Sequence, residues 1–487
     1  MMSDSPTTPI KFRCYTQSLS PAIPDAIQQA TGQFFEKRNA RVAELPQWES
    51  LRDAGHRLRL HTLEHLDAYL EQAAKSLAAA GAQVHWASNS TEANAIVIDI
   101  ARQHRVKTIA KVKSMATEEI ALNSALQAAG FQITETDLGE FIIQLAGVGP
   151  SHIVVPAVHL TKEEIAQLFE EKLGVEAPPD PEQLTAIARA RLREVFLTAD
   201  MGISGANFLV AETGTLVMVT NEGNGRMCTT LPDLHVAVVA IDKIVPDWES
   251  LATLLKLLAR SATGQKLSTY TGFITGPRKA EGEHGPRELH VVLLDNGRSR
   301  ILADPLTRET LKCIRCGSCL NVCPVYKQVG GYAYGWFISG PIGAVLTPQL
   351  LGTGIAAELP YASTLCGACA EVCPVKVPLL DLLRHLRRRV AEGDATNVAV
   401  ISPVLKVAAR GSAIALGTPW LYRLGTRLMP LLQTPLRRGN WIPALPAPLN
   451  RWTAVRPFMP FRARFRRWWK RREKDQECNS RSREERQ

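Results

Sequence analysis

Between about residues 60 and 300 the chain alternates two patterns: apolar residues every three or four positions, and short runs in which they are adjacent or alternate. Residues 63–80 are amphipathic and alanine-rich and predict a helix, and 83–87 read as a strand. A helix over 91–104 leads into a strand at 107–112. Thr117 is placed as the cap of a helix running to Ala129 and stopped by Gly130, before a strand at 131–135. Thr161 and Glu164 form a capping box that opens a helix to Leu173. The apolar runs 236–241 and 289–294 suit strands covered on both faces. This alternation implies an α/β domain with a mostly parallel sheet under helices.

A chain of 487 residues exceeds what one hydrophobic core organises. The pattern divides it into a helical extension over 1–60, the α/β domain over 61–300, and a mainly helical, cysteine-bearing domain over 301–395. A basic, partly helical region over 396–472 and a disordered tail over 473–487 follow. The net charge of +10 is unevenly placed. From Asp381 onward there are 23 Lys/Arg against 8 Asp/Glu, whereas the first 380 residues hold 34 against 39. The body is thus mildly acidic, and overall basicity is no argument for nucleic-acid binding. No run of about eighteen apolar residues predicts a membrane span. Residues 1–17 lack a secretion signal, so the expected location is the cytoplasm.

Seven of the ten cysteines fall between Cys313 and Cys373. In a reducing compartment such clustering argues for metal rather than disulfides. Cys313, Cys316, Cys319 and Cys323, followed by Pro324, follow the C-x2-C-x2-C-x3-C-P spacing of bacterial ferredoxins. Cys366, Cys369 and Cys373, followed by Pro374, repeat it with Ser363 at the place of Cys313. In the crossed ferredoxin arrangement Cys313, Cys316, Cys319 and Cys373 hold one [4Fe-4S] cluster. Cys323, Cys366 and Cys369 then hold a second, leaving one iron without a thiolate. That iron takes Ser363, water, or a substrate or partner group, or is missing from a three-iron cluster; a four-iron cluster with a non-cysteine ligand is the favoured reading. Zinc sites pair two C-x2-C knuckles per metal and fit this spacing poorly. Cys14, Cys228 and Cys478 read as ordinary free thiols.

Lys113, Glu212 and Arg226 lie in polar or glycine-rich pieces between the predicted elements, where the crevice of an open sheet would hold a carboxylate or phosphate. Ordinary turns with solvated charges explain the same pieces equally well. No dinucleotide fingerprint or Walker motif is present. His152, His159, His235 and His290 sit in or beside apolar runs and read as structural. The glycine- and aromatic-rich stretch from Gly330 to Gly343 reads as a loop shaped over the clusters; packing is the favoured role of Tyr332, Tyr334 and Trp336, and an electron relay the alternative. Near the end, residues 462–472 mix arginine with aromatics, a composition suited to an anionic membrane surface, an acidic partner or a solvated tail. No nucleic-acid module accompanies them.

Taken together the chain resembles the lactate-utilisation iron–sulfur protein family. The resemblance rests on Lys113-Ser-Met-Ala-Thr-Glu-Glu119, Thr136-Asp-Leu-Gly-Glu140, Pro150-Ser-His-Ile-Val-Val-Pro156, Ala211-Glu-Thr-Gly-Thr215, Thr220-Asn-Glu-Gly-Asn-Gly225, Leu294-Asp-Asn-Gly-Arg-Ser-Arg300 and both cysteine motifs. It implies an N-terminal LUD domain, similar to CoA transferases, and a ferredoxin-type module with two [4Fe-4S] clusters. It also implies an electron-transfer role in oxidising L-lactate to pyruvate with two other proteins of the same operon. The basic C-terminus would contact the inner membrane face or the quinone pool. The rival reading is a catalytic dehydrogenase subunit that binds lactate or another 2-hydroxy acid in the LUD domain.

Overall fold

The computed structural model describes residues 6–17, 22–153, 155–157, 159–280, 282–395, 403–446, 450–453, 456–460, 468–469 and 471–472. The chain divides into two compact units, 1–400 and 401–487. The tail expected over 473–487 and most of the arginine-aromatic stretch lie outside the described residues.

Among the described residues of the first unit there are ten strands: β1 (Gln83–Ala87), β2 (Thr108–Lys111), β3 (Gln132–Glu135), β4 (Met201–Ser204), β5 (Phe208–Val210), β6 (Thr215–Thr220), β7 (Leu234–Ala240), β8 (Ile244–Val245), β9 (Tyr270–Ile274) and β10 (Glu288–Leu294). Six form a sheet of order β1-β10-β7-β4-β2-β3, every pairing parallel. The central strands β7 and β10 are the longest, and nearly every residue in them is buried, as their unbroken apolar runs require. Each Val or Leu sealed there contributes roughly 1.5–3 kcal/mol. A second sheet, β8-β5-β6-β9, mixes parallel and antiparallel pairs.

Two predicted helices are broken. The one expected over 63–80 runs from Leu66 to Ala79, and non-helical His65 separates it from Trp48–Glu64, which takes its first two residues. Ser114, not Thr117, caps the helix Met115–Glu119, and left-handed Ala121 (φ 51°) separates it from Leu122–Ala128. The capping box at Thr161 and Glu164 is present and opens the helix Lys162–Leu173.

The helices Ala22–Ala43 and Trp48–Glu64 do not stand apart from the cysteine-bearing segment. One hydrophobic core takes in Ile27 and Trp48 from them, Phe208 and Val217 from the second sheet, Leu254 and Leu257 from the helix Trp248–Thr263, and Cys316, Cys323, Leu346 and Leu383 from the cysteine-bearing half. The second unit contains the helices Pro403–Gly417 and Pro419–Leu432 and a short pairing of Ile442 with Phe458. No helix among the described residues is long and apolar enough to cross a membrane.

Candidate functional site

The two cysteine motifs fold into similar loops. Each has a left-handed residue before the C-x2-C turn, Arg315 (φ 59°) and Leu365 (φ 56°). Each then has a left-handed glycine, Gly317 or Gly367, that starts a one-turn helix, Ser318–Asn321 or Ala368–Glu371. Cys323 and Cys373 end the motifs and enter the opposite loops. A small cavity is lined by Cys313, Cys316, Cys319 and Cys373 together. Cys323 lies within electrostatic reach of Cys366, and Cys369 of both. The seven thiols thus stand as a four and a three, and none is in a disulfide.

The donors fit iron–sulfur chemistry. Burial and mutual repulsion push the Cys316 thiol up to about 12, so it ionises readily only against a metal. Tyr334 Oη is fully buried within reach of Cys323, Cys319 and Cys369, yet has no hydrogen-bond partner among the described residues. A cluster sulfide supplies the acceptor that such a group requires. Soft donors in this number suit iron far better than a hard cation.

Three arginines from the N-terminal helices fasten these loops. Arg52 donates to Cys373 O through Nε (3.0 Å) and Nη2 (2.9 Å), and to Glu371 O (2.7 Å). Arg38 reaches Val372 O at 3.3 Å. Arg59, wholly buried, donates to Leu311 O (2.9 Å), Lys312 O (3.3 Å), Asp242 O (2.5 Å) and Ile244 O (2.8 Å). Sequence reasoning missed all three, since arginines in an amphipathic helix usually face water.

Beyond the carboxyl ends of β2, β3, β4 and β7 lies a second cavity of about 430 Å³, lined among others by Lys113, Ser114, Asp137, Asn207, Glu222 and Lys243. Gly205 lets two of its walls meet, because a Cβ there would collide with Ser114 Oγ. Ile314 and Arg315 line this cavity and the four-cysteine cavity alike, so one loop separates them.

Of the three ligand residues expected in the α/β domain, the structure brings only Lys113 to this cavity. Its buried Nζ makes no hydrogen bond and lies 3.4 Å from Glu140 Oε1. Burial raises Glu140 to about 8, with Lys113 opposing. Glu212 stands on the exposed turn after β5, whose Gly214 packs on the backbone of the helix Leu66–Ala79; that turn is a packing contact. Arg226 is exposed on the helix Asn224–Thr230 and is not among the lining residues. Two acids, Asp137 and Glu222, line the cavity, and Glu222 is raised to about 7 by desolvation and by Asp137.

A buried ion network ties the cavity floor to the cysteine loop. Arg298 meets Glu119 at 2.8 and 2.6 Å and Asp242 at 2.5 Å. Lys243 and Arg315 lie 3.6 and 3.8 Å from Asp242 Oδ2. Each of the four histidines has a side-chain hydrogen-bond partner: His152 bonds Asn321, His159 bonds Tyr332, His235 bonds Ser204 and His290 bonds His85. Burial lowers His152 to about 4 and His235 to about 3.

Residues 70–294 match the LUD domain and residues 309–377 the 4Fe-4S dicluster domain. The chain is 44% identical over 452 residues to the lactate utilization protein B of Shouchella clausii, covering 92% of this chain and 94% of that protein. It is 46% identical over 447 residues to the protein of the same name from Macrococcus caseolyticus, covering 91% and 93%. A crystal structure of a DUF162 family protein from Deinococcus radiodurans aligns with 47% of this chain and 98% of its own, at 16% identity and a TM-score of 0.27.

Proposed function

The chain belongs to the lactate utilization protein B family, and on that footing we propose that it is an electron-carrying component of L-lactate oxidation to pyruvate. Cys313, Cys316, Cys319 and Cys373 would hold one [4Fe-4S] cluster, and Cys323, Cys366 and Cys369 a second. Such clusters, when bound, supply one-electron transfer at potentials set by charge, hydrogen bonds and exposure.

The observation that carries this reading is the placement of the two thiol sets. The four share a wall, Ile314 and Arg315, with the cavity of the α/β domain, while the three include Cys366, which is exposed. One end of the pair therefore faces a chamber and the other faces the surface, where a partner can dock. Arg38, Arg52 and Arg59 fix the loops in place and set positive charge beside the thiolates. The two further lactate-utilisation proteins are the expected partners.

The test is anaerobic purification, iron and sulfide quantitation, and EPR before and after L-lactate. About eight irons per chain are expected, unchanged by lactate alone and reduced once the partner proteins are added. Zinc in place of iron would overturn the reading.

The shared wall also favours a second reading, in which a 2-hydroxy carboxylate binds in the chamber against Lys113 and Arg315. Arg315 Nη1 is buried and without a hydrogen-bond partner among the described residues. Each lost charge-assisted bond costs about 1.5–3 kcal/mol, so Lys113→Met or Arg315→Met should raise the lactate Kd roughly tenfold or more by calorimetry. Glu212→Gln and Arg226→Gln should leave it unchanged. Lactate reducing the isolated protein would make this the catalytic subunit.

A further inference from the structure

We propose that Ser363 is the fourth protein ligand of the cluster held by Cys323, Cys366 and Cys369. The inference rests on the iron–sulfur reading above and concerns the one coordination position that the seven cysteines leave open.

Ser363 stands three residues before Cys366, as Cys313 stands three before Cys316. The backbone repeats along with the spacing. Arg315 and Leu365 both adopt the left-handed region, which is uncommon for a non-glycine residue, and the glycines two positions later do the same. A shared strained conformation at matched positions marks one loop built twice.

The first ligand position repeats too. Arg315 N donates to Cys313 Sγ at 3.4 Å, and Leu365 N donates to Ser363 Oγ at 3.1 Å. The shorter distance is what oxygen's smaller radius gives. Ser363 Oγ therefore occupies, in its loop, the place of a thiol ligand in the other. Its own proton has no acceptor among the described residues, although the side of the loop is only half-buried.

The position is also anchored from outside. Arg387, on the helix Leu379–Glu392, donates through Nη2 to Ser363 O and through Nε to Pro360 O, both at 2.8 Å. Its guanidinium lies over the Tyr361 ring, 5.2 Å from the centroid. Ligation would break the Ser363 O–H bond, form an oxygen–iron bond and release the proton to solvent, with no change of oxidation state. Because Cys366 is exposed, water is the competitor for this position.

The experiment uses the full-length protein, loaded anaerobically and reduced in oxygen-17-labelled water, with pulsed EPR reading the coupling of labelled oxygen to the cluster. Wild type is expected to show no such coupling; Ser363→Ala is expected to show it and to lose roughly one more iron per chain on mild oxidation. Ser363→Cys is expected to keep its iron and exclude labelled water, which guards against a folding defect in the alanine variant. Labelled oxygen coupled to the wild-type cluster would overturn the proposal, as would equal iron retention in wild type and Ser363→Ala. Either result would leave the iron–sulfur reading intact, whereas that reading would fail on zinc, or no cluster, in wild type.

Discussion

Arg52 grips the carbonyl of Cys373 with two nitrogens, Nε at 3.0 Å and Nη2 at 2.9 Å. The residue that completes the four-cysteine set is therefore held by a side chain more than 300 positions earlier in the chain. Arg52→Met would leave buried carbonyls without donors and should cost about 2–3 kcal/mol in urea unfolding. Arg52→Lys should recover only part of that, because an ammonium lacks the planar fork.

The Arg298–Glu119 pair joins two of the motifs that carry the family resemblance, and both side chains are 2% exposed. Removing one partner strands a buried charge, so Glu119→Gln should cost about 3–5 kcal/mol in thermal or urea unfolding. Arg298→Met should cost more, since it also abandons Asp242. The double variant should lose less than the sum of the two.

Glu140 gives the fold a pH dependence of definite sign. Burial raises it to about 8, against about 4.3 in an unfolded chain. Between those values the unfolded state binds fewer protons than the native one. The contribution of Glu140 is therefore complete below the unfolded value, declines as pH rises toward 8 and is lost above it. Glu118, Glu135, Lys111 and Lys113 are the charges that act on it. Urea midpoints across this window should fall with pH in wild type and fall less steeply in Glu140→Gln.

The second unit should bind anionic bilayers. On the helix Pro419–Leu432, Trp420, Leu424, Leu428 and Leu431 recur at helical spacing and are all exposed, with Arg423 and Arg427 beside them. No acidic residue occurs between Pro403 and Arg438. Co-sedimentation with phosphatidylglycerol vesicles should weaken about fivefold for each arginine changed to glutamine, from about 1 kcal/mol per charge. Neutral phosphatidylcholine vesicles should bind poorly.

What the sequence disclosed follows from the range of the forces involved. Spacing within a dozen residues marked the cysteine loops, the capping box at Thr161 and the apolar runs of β7 and β10, because each is a local arrangement. Partners far apart were hidden: Glu119 and Arg298, or Arg52 and Cys373, look like unrelated polar residues until the fold joins them. Glu212 misled for the same reason. Its glycine turn resembles a ligand loop, but the close approach of the helix Leu66–Ala79 is what demands Gly214. Lys113 lines the cavity because it follows a parallel strand, and the end of such a strand is where the sheet opens.

Cys373 lines one cavity with Cys313, Cys316 and Cys319, so the wall of that cavity is complete only once residue 373 has left the ribosome. A chain leaving the ribosome has made three donors of that set by residue 319 but cannot finish it until residue 373 has emerged. The helices Ala22–Ala43 and Trp48–Glu64 share their hydrophobic core with the cysteine-bearing half of the chain, so their packing too is complete only when that half has emerged. Truncation anywhere before Cys373 removes a donor from the upstream set as well as from its own motif.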